Sequence, residues 1–167
     1  MDKLMSLIGE PVDPDDHRMI DSLFLYPMVD YGLGLDLNAY NEAKDNGEFS
    51  LIRNDSLRVV LYQFSTFINE YIIEREKIIN TENLNYMLPY FRKNANLRNI
   101  SSNENISDFK KRIGYSKLEE TNYTKILNDR EFENLLDMRI YSAQEMKGKY
   151  EVTIYFLELI NKLLEQE

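Results

Sequence analysis

Apolar residues recur at helical spacing over two long stretches, and the rest of the chain is arranged around them. From Asn128 to Glu165 there is no proline and a single glycine, Gly148. Leu136, Ile140, Ala143, Met146, Tyr150, Ile154, Leu157, Ile160 and Leu164 follow one another in steps of three and four. That spacing puts them on one face of a helix. At 1.5 Å per residue such a helix runs about 55 Å, too long to persist in water unless its stripe is packed. The second stretch begins where Asn54 offers a cap, and carries Leu57, Leu61, Phe64, Ile68, Tyr71, Arg75 and Ile78 as a heptad-like seam. Val60, Phe67, Ile72 and Ile79 widen that stripe, which favours a globular bundle over a bare two-stranded coil. The helix is expected to continue, or restart after Thr81, through Asn83 to Phe91, with Pro89 kinking or ending it.

Shorter signals lie before these stretches. Leu4, Met5, Leu7 and Ile8 make an apolar turn or two, closed by Gly9 and Pro11. Asp13 followed by Pro14 and further acids is a helix start, with Ile20, Leu23 and Phe24 facing a core and Pro27 as the stop. Asp36 or Asn38 caps a small helix that Gly47 ends. From Arg92 to Lys117 the pattern fails, which predicts a long connection with at most one helical turn. The predicted fold is all-α: an antiparallel helical bundle in a single domain over residues 1–167. Its long helices cover about 55–92 and 129–165, and short helices near 14–25 and 38–46 cap one end.

Composition narrows the function classes. A 43% hydrophobic share with 12% aromatics suits a packed core rather than disorder. A net charge of −9 argues against nucleic acid as a partner and against direct binding to anionic lipid. The chain has no cysteine, which excludes a disulfide framework, thiolate metal sites and a cysteine nucleophile. No apolar run is long enough for a membrane span and the N-terminus lacks the pattern of a signal peptide, so the chain as given is expected to be soluble.

Candidate chemistry is sparse. Asp13, Asp15, Asp16, His17 and Asp21 form the densest group of potential metal ligands. However, Asp13 is needed as a cap, Asp15 and Asp16 complement the helix dipole, and the calcium-loop spacing is absent. His17 is the only histidine, and neither a nucleophile elbow nor a phosphate-binding glycine loop occurs. No catalytic residue, metal site or cofactor is expected. One local asymmetry stands out in an acidic protein. Arg92, Lys93, Arg98, Lys110, Lys111 and Arg112 cluster in the connection as a candidate partner-binding surface. Arg75, on the second seam, either pairs with an acid such as Glu145 or Glu151 or reaches past the seam to water, with a register-setting role as a further alternative.

Tyr40, Glu42, Lys44, Gly47, Leu51, Ile52, Arg53, Asn54, Leu57 and Arg58 form a combined motif, supported by the Asp13–Pro14 entry and by Phe132 to Ser142. The motif resembles an uncharacterised Bacteroidetes-type family of single-pass membrane proteins, a domain of unknown function (family 6090), over most of the chain. Ala43, Asn46 and Phe49 depart from its usual Leu, Ser and Leu. Members of that family place a basic N-terminus, one membrane helix and a further long helix before this region. The resemblance therefore implies a truncated or unusually short member lying on the periplasmic side of the inner membrane. It carries no catalytic residue or cofactor. Read without the family, the motif builds a corner: Gly47 stops one helix, Asn54 starts the next, Leu51 and Ile52 plug the junction, and Arg58 bonds carbonyls at the preceding helix end.

The expectation is a non-enzymatic interaction or scaffold domain, with a protein partner or self-association and membrane contact only through a missing N-terminal anchor. The alternative is a small-molecule-sensing helical bundle with its ligand near Tyr62, Tyr71 and Tyr150.

Overall fold

A computed structural model of the chain describes residues 1–98, 100, 116–118 and 120–166, and every regular element in them is helical. In order, these are α1 (Asp2–Met5), a 3-10 turn (Pro14–Asp16) leading into α2 (His17–Met28), α3 (Asn38–Asp45) and a 3-10 turn (Glu48–Leu51). An unbroken helical run follows: α4 (Asp55–Phe67), a π turn (Ile68–Ile73), α5 (Glu74–Glu82), a second π turn (Asn83–Met87) and α6 (Leu88–Asn94). After α7 (Tyr123–Leu127) the chain ends on α8 (Arg130–Leu164), 35 residues long. No helix among the described residues is long and apolar enough to cross a membrane.

Local chemistry accounts for the starts and stops. Asp13 accepts the amide of Asp15 at 3.0 Å, Asn54 that of Leu57 at 3.2 Å and Asn122 that of Lys125 at 2.9 Å, each satisfying a donor that the first helical turn leaves free. Asp36 accepts from the amide of Asn38 at 2.7 Å. Gly47 has φ +76°, a left-handed conformation that a side chain would strain. Pro27 does not stop α2 but sits within its last turn. Nor does Pro89 end the second run. The π turn directly before it shifts the acceptor pattern by one residue, so the proline's missing N–H is absorbed.

The chain divides into two compact units, Met1–Asp30 with Ile79–Ser142, and Tyr31–Ile78 with Ala143–Glu167. The first is built on aromatic packing. Phe24 meets Phe91 and Phe132 edge-on, at ring-centroid distances of 5.2 and 5.6 Å, and Tyr90 stacks on Phe132 at 5.6 Å. Leu4, Ile20, Ile126, Leu127 and Leu136 complete this core, and the Gly9 amide donates to the Leu127 carbonyl at 2.9 Å. The second unit buries Leu57, Phe64, Ile68, Ile72, Met146, Thr153 and Ile160, and Phe156 lies against Phe64 and Phe67 at 5.9 and 5.6 Å.

Both predicted stripes need correction. On the second run, Tyr71 and Ile78 are exposed and their neighbours Ile72 and Ile79 are buried. The π turn at Ile68–Ile73 inserts the extra residue that moves the buried face on by one. On α8 the buried line passes through Phe132, Leu136, Arg139, Ser142, Met146, Thr153 and Ile160, while Ile154, Leu157 and Leu164 are exposed. Three of those buried positions are polar, which a hydrophobic pattern overlooks. At the corner, Leu51 is 75% exposed and plugs nothing; Phe49 packs edge-on against Tyr40 at 4.9 Å instead. Arg58 pairs with Asp55 rather than with a preceding carbonyl.

The buried polar groups of the first unit close the end of α2. Arg139, 5% exposed, donates its Nε to the Pro27 carbonyl at 3.1 Å and its Nη2 to the Val29 carbonyl. Asn83, 2% exposed, donates its Nδ2 to the Met28 carbonyl at 3.1 Å and to Asp30 Oδ1 at 2.8 Å. Arg139→Met keeps most of the volume but strands two carbonyls, so it should cost about 2–4 kcal/mol in chemical denaturation. A loss below about 0.5 kcal/mol would show that water replaces the guanidinium without cost. Gly148 has an ordinary helical backbone and open space where a Cβ would stand. Gly148→Ala should therefore stabilise the chain by about 1 kcal/mol, seen as a raised melting temperature; a lowered one would mean that something unseen occupies that space.

Candidate interaction surfaces

The basic residues singled out in the sequence are only partly brought together. Arg92 and Lys93 occupy the last turn of α6, both exposed, where cations complement the helix dipole. They border an open depression of about 440 Å³ of mixed polar and apolar lining, with Asn96, Leu97, Leu118, Glu120, Asn122 and Lys125 on its other sides. Thr121 holds the rim by accepting the Asn96 amide at 2.9 Å. Lys125 is a cation the sequence reading missed; it lies beyond the connection, where only the tertiary fold brings it near. Arg98 is exposed and engaged in a contact of its own. Lys110, Lys111 and Arg112 lie outside the described residues.

Asn83 has a second feature. Its two donated bonds fix which end of the amide is nitrogen, so its Oδ1 is buried with no protein donor. Asn83 also lines a small depression of about 20 Å³, walled mainly by Ile79, Met87, Leu135 and Met138, with Arg139 and Ser142 also on its lining. That volume suits one water or the tip of a donor group, not a whole organic ligand.

The second unit holds a denser network. Glu76 Oε1 accepts from the Leu33 amide at 2.9 Å and from the Tyr150 hydroxyl at 2.7 Å, tying an extended segment and α8 to α5. Arg75 bonds Glu145 Oε2 at 2.9 and 2.8 Å, one of the alternatives the sequence left open, while Lys149 reaches Oε1 at 2.7 Å. The hydrogen bonds from Lys149 and Arg75 hold the Glu145 carboxyl below its usual range. Of the three tyrosines expected near a ligand, Tyr62 and Tyr71 are more than half exposed and the Tyr150 hydroxyl is committed to Glu76. Tyr71 stacks on Phe67 and Tyr62 lies under the Lys44 ammonium. Asp13 is taken up as a cap and His17 lies on the Tyr123 ring at 4.3 Å; no group of three potential metal ligands occurs among the described residues.

A further surface feature is apolar. On the last third of α8, Ile154, Tyr155, Leu157 and Leu164 are 55%, 62%, 41% and 53% exposed. Glu151, Glu158 and Glu165 run beside Ile154, Leu157 and Leu164, spaced seven residues apart and all exposed. Exposed apolar side chains clustered on a rigid element mark docking sites more often than chance scatter does.

Three tyrosine–carboxylate pairs set an alkaline limit to stability. Tyr90 bonds Asp129, Tyr123 bonds Asp21 and Tyr150 bonds Glu76, at 2.8, 2.7 and 2.7 Å. Burial foremost, then the carboxylate beside each, pushes all three phenols well above their ordinary value. Below about pH 10 both folded and unfolded chains hold these protons; above it only the unfolded chain releases them. Stability should therefore fall as pH rises beyond about 10, read as a declining denaturation midpoint. Tyr90→Phe with Tyr123→Phe should lessen that decline; an unchanged slope in the double variant would remove the Tyr90–Asp129 and Tyr123–Asp21 pairs as its cause.

Compared with protein-family models, curated proteins and solved structures, the chain matches none of them.

Proposed function

We propose that this chain is a non-enzymatic interaction or scaffold domain of a membrane-anchored cell-envelope protein, lying on the periplasmic side of the inner membrane. The observation that carries the interaction reading is the exposed apolar ridge of α8, Ile154, Leu157 and Leu164, on a helix of 35 residues. A long helix braced by buried residues along its length is a stiff support for a partner, because little order has to be acquired on binding. The envelope setting rests on the family resemblance, whose motif residues Gly47 and Asn54 form the stop and start of adjoining helices. Within each unit the architecture proposed is antiparallel. Phe64 with Phe156 and Arg75 with Glu145 support it in one unit, and in the other Tyr90 meets Phe132. In the first of these, residue numbers rise on one run as they fall on α8.

A second reading, a small-molecule-sensing bundle, draws on Asn83, which lines the depression and whose Oδ1 is unpaired. The two separate in one experiment. A photo-crosslinking residue is placed at Leu157, or at the exposed control Glu133, in the anchored protein within its own envelope. The interaction reading expects a discrete protein adduct from position 157 and none from 133. No adduct at 157, together with a melting temperature raised by small molecules and insensitive to Leu157→Ser, would overturn it in favour of the sensor.

A further inference from the structure

We infer that the exposed ridge of α8 receives an amphipathic helix of another protein, one with aliphatic residues along its seam and a row of lysines or arginines beside it. The inference rests on the interaction reading above and names the partner's chemistry. Ile154, Leu157, Asn161 and Leu164 follow in steps of three, four and three, a second seam next to the buried line through Thr153 and Ile160. Aliphatic residues at that spacing fit a groove-laying helix rather than an extended strand. From Ile154 to Leu164 the ridge runs about 15 Å, so a partner of three turns covers it.

The flanking charge selects among such helices. Glu151, Glu158 and Glu165 repeat every seven residues on one side of the seam, and all three are exposed. Lys147 lies 4.0 Å from Glu151 and the exposed Lys162 stands one turn after Glu158, neighbours of the kind that contribute little; with three glutamates to two lysines the row stays acidic by one charge. In a paired helix, positions beside the seam face their counterparts across it and decide the partner by charge. A basic row on the partner meets the glutamates. A second copy of the ridge, turned antiparallel by a two-fold axis, brings glutamate against glutamate and is disfavoured. The polar Asn161 within the seam fixes the register of whatever docks.

The test uses the full chain and two synthetic helices of identical leucine seam, one carrying lysine at the flanking positions and the other glutamate. Binding is followed by calorimetry at low and moderate salt, and circular dichroism reports folding of each variant. The expected result is that the lysine helix binds at least roughly tenfold tighter than the glutamate helix, with the gap narrowing as salt rises. Ile154→Ser with Leu157→Ser should lose that binding while helicity is kept, because both side chains stand in solvent in the free chain. Tyr141→Ser, another exposed site on α8, should leave it unchanged, and Glu151→Lys with Glu158→Lys should reverse the preference.

Equal binding of the two helices overturns the charge selection but leaves the interaction reading standing. Equal loss with Tyr141→Ser shows general adhesion and overturns the ridge as the site. A dimer in sedimentation that Ile154→Ser dissolves makes the occupant a second copy, and again only the present inference falls. Binding of neither helix overturns the inference, and the interaction reading then stands or falls on the crosslink at Leu157 alone.

Discussion

The carbonyls of Pro27, Met28 and Val29 must find donors away from water, and the first unit is arranged to supply them. Arg139 takes the outer two and Asn83 the middle one. A helix end leaves its last carbonyls without intrahelical partners, and a buried end is stable only where side chains replace them. A guanidinium is suited to this because several donors lie in one plane and its charge opposes the negative end of the helix. Burying that charge is costly, so Arg139 is tolerable only while its acceptors stay in place. The same three carbonyls thereby fix where α8 and the second helical run meet the end of α2.

Asn83 reaches its place because of backbone geometry. It opens the second π turn, which begins four residues after the buried Ile79. Each π turn adds a residue to the helical count and rotates all that follows. The turn at Ile68–Ile73 exchanges Tyr71 for Ile72 on the buried face, and the next turn precedes Pro89, carrying the helix past a residue that would otherwise end it. The cost of irregular helix is offset by buried hydrogen bonds and by a buried line maintained from Leu57 to Phe91.

Functionally, the molecule separates two kinds of polar group. Those that are buried or half-buried are committed to structure: Glu76 to Leu33 and Tyr150, Tyr90 to Asp129, Tyr123 to Asp21. Those that are exposed gather into rows, the cations of Arg92, Lys93 and Lys125 around one depression and the glutamates of α8 beside an apolar seam. Rows of like charge beside exposed aliphatic residues are the kind of surface through which the proposed partner would be selected. This division favours the interaction reading over the sensor, whose support rests on the single unpaired oxygen of Asn83.

Much of the local structure was legible from short-range chemistry. The caps at Asp13 and Asn54, the left-handed Gly47 and the all-helical class each follow from residues whose preferences act within one turn or along one seam. The exact buried faces did not follow. A hydrophobic pattern assumes an unbroken period and apolar contacts, whereas two π turns change the period and Arg139, Ser142 and Thr153 occupy buried positions. The sequence by itself determined the helical class, the caps at Asp13 and Asn54, and that α8 carries apolar residues along its whole length. Only the tertiary structure decided which of them are covered, because burial depends on the neighbour each side chain meets. Thr153 faces inward while Ile154, one residue on and far more apolar, is left at the surface.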